Sequence, residues 1–133
     1  MSLNNMLIRI SPNKRCFVYK DGTPFFWLGD TQWELFRLFS MDDVETILEN
    51  RKNKGFTAIQ IMFTGVGDGT KPNIDGQTPW INNDPAKPNE AYFKRVDQVI
   101  ELALKKGIII VPGVFHQLQV SLITLNNARN YAK

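Results

Sequence analysis

Only one cysteine, Cys16, and one histidine, His116, occur in the 133 residues of this chain. A single thiol excludes an intrachain disulfide, and no cluster of His and Cys exists to build a zinc site, so no metal is expected. Cys16 itself is expected to be a buried or partly buried spectator. Long apolar runs are missing too: nothing approaches the roughly 20 residues of a membrane span, and no membrane partner is expected. The N-terminal stretch to Ile10 has Arg9 on the wrong side of a short apolar patch and no small-residue cleavage site. That is not a secretory signal; the compartment stays open, with a cytoplasmic location the default expectation. An excess of one charge is also absent, since 16 Lys and Arg stand against 13 Asp and Glu, interspersed along the chain. They read as solvated helix faces, and no nucleic-acid partner is expected. The series Gly65, Gly67 and Gly69 lacks the Gly-Lys-Ser/Thr ending and helix start of a phosphate cradle, so no nucleotide and no other cofactor is expected.

What is present is a mixture of short strand and helix patterns in an ordinary globular composition, 43% hydrophobic and 22% charged, within the range that buries a core without staples. Residues 1–24 alternate apolar and polar around Pro-Asn and Asp-Gly turns, which predicts a small antiparallel hairpin acting as a lid or cap. Phe25-Phe26-Trp27-Leu28, ending at Gly29-Asp30, has the pattern of a strand buried on both faces. Ser40 then caps a helix with Asp42 and Asp43 in its first turn, apolar positions at Met41, Val44, Ile47 and Leu48, and a stop at Lys54-Gly55. Arg51, Lys52 and Lys54 lie near its end, where the helix dipole favours cations. A second strand is predicted over 56–63 and a long loop from Thr64 to Pro88, with Trp80 and Ile81 its main large apolar residues. Loops of that length without structure of their own are functional or disordered as a rule. Asn89-Glu90 opens a second amphipathic helix that closes at Lys105-Lys106-Gly107, followed at once by a strand over 108–111 and a weak helix from Leu118 to Ala132. The two joints Lys54-Gly55-Phe56 and Lys106-Gly107-Ile108 repeat one unit. Strands alternating with helices imply parallel pairing through right-handed crossovers, in a doubly wound sheet or a (β/α)8 barrel.

The segment Pro24-Phe25-Phe26-Trp27-Leu28-Gly29-Asp30-Thr31-Gln32-Trp33-Glu34-Leu35-Phe36 resembles the opening strand of the apiosidase-like glycoside hydrolases, related in fold to the large cellulase-like clan. Glu49-Asn50-Arg51 with Lys54-Gly55-Phe56, and Asn83-Asp84-Pro85 with Lys87-Pro88-Asn89-Glu90-Ala91-Tyr92-Phe93, continue the resemblance in order and spacing across most of residues 20–115. It implies the N-terminal portion of a (β/α)8 TIM barrel, about three βα units behind the hairpin, in one domain over residues 1–133. A whole barrel needs at least ~200 residues. After Phe115 the chain departs from the family, with His116-Gln117-Leu118-Gln119-Val120 in place of a Trp-Gly loop. The family's acid/base and nucleophile are expected after strands four and seven, so no catalytic residue is assigned.

The candidate substrate-binding residues are Asp30, Trp33, Glu34, Gln60, Asp68, Trp80 and His116. Asp30 ends the first strand, where a barrel handles substrate; it either accepts two sugar hydroxyls or caps the following turn. Trp33 offers an indole face to the apolar side of a sugar ring, or packs in the core. Glu34, four residues from Asp30, is a solvated loop residue or a ligand contact, and two carboxylates in one turn cannot easily flank a sugar from opposite sides. Gln60 lies on the second strand. His116 follows the third, and a lone histidine is more often a hydrogen-bonded structural group than a catalyst. The resemblance puts Asp68 and Trp80 in the loop after strand two, lining the cleft. The expected function is that of a glycoside hydrolase-like protein acting on plant-type carbohydrate in a full-length form; the rival is a non-catalytic oligomerising or carbohydrate-binding α/β module. Three barrel strands leave two open edges, so a homo-oligomer is expected. The expected inner face includes parts of Phe25, Trp27, Ile59, Ile61, Ile108 and Ile110, which in a full barrel the opposite strands cover.

Overall fold

The computed structural model describes residues 7–114 and 116–131. An antiparallel sheet of β1 (Ile8–Ile10), β2 (Phe17–Tyr19) and β3 (Pro24–Phe25), ordered β1-β2-β3, precedes a parallel sheet of β4 (Gly29–Thr31), β5 (Ala58–Met62) and β6 (Ile109–Gly113), ordered β4-β5-β6. The connections are α1 (Met41–Asn53) and α2 (Glu90–Lys105), with α3 (Leu125–Tyr131) at the end. Two successive βα units feed parallel strands, an arrangement consistent with the arc of a barrel wall.

Both crossover helices begin and end as their sequences dictate. Ser40 Oγ accepts the Asp43 N–H at 3.1 Å while the Asp43 carboxylate accepts the Ser40 N–H at 3.2 Å, satisfying two end donors reciprocally. Asn89 Oδ1 accepts the Ala91 N–H at 3.1 Å to start α2. Gly55 and Gly107 have φ of +82° and +79°, the left-handed stop that a side chain resists. Val44 and Leu48 from α1 and Tyr92, Val96, Val99 and Ala103 from α2 close over Ile59 and Ile61, all at most 2% exposed.

The barrel strand is not Phe25 to Leu28. Phe25 pairs with Phe17 in the antiparallel sheet, and the parallel strand starts only at Gly29. Phe26 and Trp27 are 74% and 47% exposed, so this run is a joint between two sheets and not a strand buried on both faces. The hairpin is in consequence a three-stranded sheet. It meets the barrel arc through Trp27, whose ring lies 6.0 Å from Phe25 and 6.1 Å from Phe17 and whose Nε1 stands 3.2 Å from where a Cβ on Gly29 would be. Gly29, Ala58 and Ile109 share one level at the N-terminal ends of the strands. The sheet therefore closes the bottom of the arc, and no lid over the C-terminal strand ends comes from it.

Register also reassigns the inner face. Asp30, Ile59 and Ile110 stand on one level and Thr31, Gln60 and Val111 on the next, and side chains alternate between faces along a strand. Ile59 and Ile61 lie in the core beneath the helices, so they point outward and not into the barrel. The inner face is formed by Gly29, Thr31, Ala58, Gln60 and Val111. Two further expectations change. Cys16 is exposed, because it closes a tight turn in which its N–H donates to Ser11 Oγ and its carbonyl accepts from Ser11. The expected helix from Leu118 is split into a 3-10 segment, Gln117–Leu122, and α3: Thr124 and Asn127 cap one another at 2.7 and 3.3 Å and restart the chain. Its expected end at Ala132 lies outside the described residues.

Tyr92 ties the core to the top of β5: fully buried, it donates its hydroxyl to the Phe63 carbonyl at 2.7 Å. Burial pushes this hydroxyl above the ordinary tyrosine value of 10.0. The folded state thus favours the neutral form, and the resulting stability is whole below pH 10 and lost as pH rises beyond it. Tyr92→Phe is expected to cost about 1 kcal/mol near pH 8 and to flatten the alkaline loss. Urea titrations at about pH 8 and about pH 11 check both parts.

Candidate functional site

Among the described residues, three of the concavities hold residues singled out in the sequence. The first, of about 620 Å³, is the inner face itself, lined by Trp27, Thr31, Gln60 and Val111 among others. The second, of about 460 Å³, is lined by Trp33, Met62, Val66, His116 and Gln117. Met62 is the last residue of β5, Trp33 follows β4 and His116 follows β6, so this cavity stands on the C-terminal strand ends. The third, of about 220 Å³, is an apolar notch among Phe63, Trp80, Pro85, Pro88, Phe93 and Val114.

Trp33 is 40% exposed at the second cavity. Its position is fixed by backbone: its carbonyl accepts the Met62 N–H at 3.2 Å, which carries the parallel ladder one step past β4. An indole held by its main chain with its face partly open is suited to a sugar ring. His116 stands across from it with Nδ1 accepting the Leu118 N–H at 3.3 Å. In the neutral ring Nε2 then carries the proton and is a donor. The histidine thus has the structural bond expected of it and also lines the cavity.

The carboxylates are otherwise engaged. Asp30 lies on the helix-facing level of its strand and pairs with Arg51 Nε of α1, while Gln32 Nε2 donates to the same oxygen at 2.9 Å. Desolvation would raise this carboxyl, but the hydrogen bonds from Arg51 and Gln32 outweigh it and hold it below its ordinary range. Arg51 is accordingly a partner for Asp30 and more than a solvated helix charge. Glu34 has both oxygens occupied: Oε1 accepts the Val66 N–H at 2.8 Å and Oε2 accepts Arg37 Nε at 2.8 Å. Asp68 is exposed and turned onto Thr70, whose hydroxyl and N–H it accepts at 2.8 and 3.0 Å; these two bonds lower its carboxyl. Gln60 points to the inner face, exposed in the first concavity. Trp80 is 8% exposed and packs on Phe93 at 5.5 Å, in the third concavity. The structure thus brings Trp33 and His116 to one cavity, puts Asp30 and Gln60 together on the lining of the first concavity, and places Trp80 in the third.

Sequence reasoning passed over two buried polar residues that tie loops to the rest of the fold. Gln119 is buried and donates to Thr64 Oγ1 at 2.7 Å. Arg95, buried on α2, donates to the carbonyls of Phe36 and Phe39 and to Asp75. Arg95 falls on the apolar stripe of α2, between Tyr92 and Val99, and a cation at a core position was the available signal. Among the described residues no group of three His, Cys, Asp or Glu is placed to hold a metal ion, and no helix is long and apolar enough to cross a membrane.

Residues 11–133 match the family described as apiosidase-like, catalytic domain. No curated protein matches. Among solved structures, the chain is similar to one titled glycoside hydrolase, with 28% identity and a TM-score of 0.80 over 93% of this chain and 29% of the other. It is similar to a glycoside hydrolase family 5 protein from Bacteroides vulgatus, with 26% identity and a TM-score of 0.81 over 93% of this chain and 28% of that one. A family 5 mannosidase from Rhizomucor miehei shares the fold at 17% identity and a TM-score of 0.62, over 85% of this chain and 28% of its own. The chain spans less than a third of the length of each.

Proposed function

Because the chain belongs to the apiosidase-like catalytic domain family, we propose that it forms part of the sugar cleft of a glycoside hydrolase acting on plant-type carbohydrate, with the catalytic carboxylate pair supplied from outside these residues. The observation that carries this reading is the cavity at the C-terminal strand ends, which Trp33 and His116 line together, with His116 Nδ1 engaged by Leu118 and Nε2 left as the ring's donor in its neutral form. It joins an apolar platform to a hydrogen-bond donor, the two elements by which a sugar ring is gripped, at the end of the strands where barrels handle substrate.

Titrating the chain with a panel of neutral plant-wall oligosaccharides at millimolar concentration is expected to change tryptophan fluorescence. Trp33→Ala is expected to abolish the response, a loss of at least ~10-fold in affinity, since hot-spot indoles contribute 2 kcal/mol or more. A response that survives in Trp33→Ala would place the ligand elsewhere.

The chain by itself is also proposed to self-associate through a second copy. β4 and β6 are open edges of the parallel sheet, and an unpaired edge is a template for another strand. Light scattering at micromolar concentration is expected to report a dimer or larger species; a monomer that unfolds cooperatively would contradict it.

A further inference from the structure

Two side chains from opposite sides of the cavity, half-buried Glu34 and buried Gln119, converge on a single turn. The segment Thr64 to Val66 leaves β5 and forms one wall, with Val66 in the lining beside Trp33. From the β4 side Glu34 Oε1 accepts the Val66 N–H at 2.8 Å. From the β6 side Gln119 Nε2 donates to Thr64 Oγ1 at 2.7 Å and to the Gly65 carbonyl at 3.4 Å. Each reaching residue is anchored at its own end. Glu34 Oε2 is held by Arg37 Nε, and Arg37 Nη1 reaches the Pro72 carbonyl at 3.4 Å. Gln119 Oε1 accepts the N–H of His116 at 3.2 Å, so the residue that fixes the turn also fixes the histidine.

Fit at the turn is close. A Cβ on Gly65 would lie 2.4 Å from Glu34 Oε2 and 2.6 Å from Arg37 Nε, and a Cβ on Gly69 would lie 2.9 Å from the Gln119 amide. Gly65 in the turn and Gly69 beyond it both have φ of +75°, a backbone conformation that a side chain resists, and a Cβ at either would displace the side chains that reach the turn. Gln119 is 3% exposed and Thr64 3%, and a satisfied buried polar pair of this kind specifies one arrangement of the groups it joins.

We infer that Glu34 and Gln119 are positioning residues, which act through the Thr64–Val66 turn to hold Val66 and His116 at the distance from Trp33 that the cavity's ligand requires. The inference rests on the carbohydrate reading for what fills the cavity, and on geometry alone for what holds it open. Glu34 on this account does not touch the ligand. Its two oxygens are spent on Val66 and Arg37, and its function is to connect the loop carrying Trp33 to the wall opposite.

The test uses the 133-residue chain labelled with 5-fluorotryptophan, whose three resonances are assigned by Trp→Phe variants. Gln119→Met, remote in sequence from Trp33, is expected to move the Trp33 resonance, leave that of Trp80 in place, and speed exchange of the Val66 amide by ~10-fold or more, as local opening does. Thr64→Val removes the acceptor of Gln119 and is expected to do the same, so the result does not depend on one variant folding. Glu34→Ala is expected to free the Val66 amide, whereas Glu34→Gln, which keeps an acceptor for it, rescues slow exchange. Where the wild-type chain binds a neutral oligosaccharide, Gln119→Met weakens that binding by ~10-fold. A Trp33 resonance unmoved in both Gln119→Met and Thr64→Val would overturn the inference, as would Glu34→Gln proving as damaging as Glu34→Ala. A wild-type chain that ignores every sugar defeats the carbohydrate reading alone, because the ligand-free spectra still decide the positioning.

Discussion

Arg95→Ala is expected to lower the melting temperature by roughly 10 °C, the largest loss from any single polar substitution in the chain. Arg95 leaves α2 with its side chain 8% exposed and spreads its guanidinium over three acceptors. Nε donates to the Phe36 carbonyl at 3.1 Å, Nη2 to the Phe39 carbonyl and Nη1 to Asp75 Oδ2 at 3.1 Å. Two of these acceptors are main-chain oxygens of the 32–40 connection between β4 and α1, whose own bonds the loop does not otherwise complete in regular structure. Alanine would strip the donor from both and leave a void beside Phe36, at a cost of about 3 kcal/mol. The Asp75 pair adds little, since its carboxylate is 56% exposed and screened. Arg95→Lys is expected to recover less than half, because an ammonium cannot reach three divergent acceptors. Thermal unfolding followed by circular dichroism checks the pair; a loss below about 1 kcal/mol for Arg95→Ala would mean that water replaces the guanidinium.

The second large effect is an absence of turnover. Hydrolysis by a carboxylate pair needs two groups about 5 to 9.5 Å apart on opposite sides of the sugar. Near the C-terminal strand ends, Asp30 faces α1 and is paired with Arg51, Glu34 is saturated by Val66 and Arg37, and Asp68 is folded onto Thr70. Hydrogen bonding holds Asp30 and Asp68 below their ordinary range, which suits neither to donate a proton near neutral pH. The 133-residue chain is accordingly expected to show no hydrolysis of chromogenic glycosides or plant-wall oligosaccharides above a buffer control. Activity that disappears in both Asp30→Asn and Glu34→Gln would move catalysis onto the β4 loop.

Much of this architecture was legible because short-range chemistry specifies it. The caps at Ser40 and Asn89, the stops at Gly55 and Gly107 and the apolar spacing of α1 and α2 are each decided within a few residues, and each stands where the sequence puts it. Phe25 to Leu28 misled for a physical reason: an apolar run fits a strand buried on both faces and a joint packed between two sheets equally well, and only the pairing of Phe25 with Phe17 separates them. The inner and outer faces were inverted at Ile59 and Ile61 because continuous apolar strands carry no alternation from which to read direction. For the site, Trp33 and His116 were visible as an aromatic and a lone histidine at strand ends. That Asp30 turns to Arg51, that Glu34 reaches Val66 32 residues away and that Gln119 reaches Thr64 across 55 depends on contacts between loops, which no local pattern encodes.

The central claim is that the cavity between Trp33 and His116 is a subsite for a neutral sugar, and the most direct measurement is a fluorine NMR titration of the 5-fluorotryptophan-labelled chain with neutral plant-wall oligosaccharides. One resonance reports each of Trp27, Trp33 and Trp80, which lie in three different concavities. The account predicts a saturable shift of the Trp33 resonance with those of Trp27 and Trp80 unmoved; a flat titration across the panel, or a shift confined to Trp27 or Trp80, would contradict it.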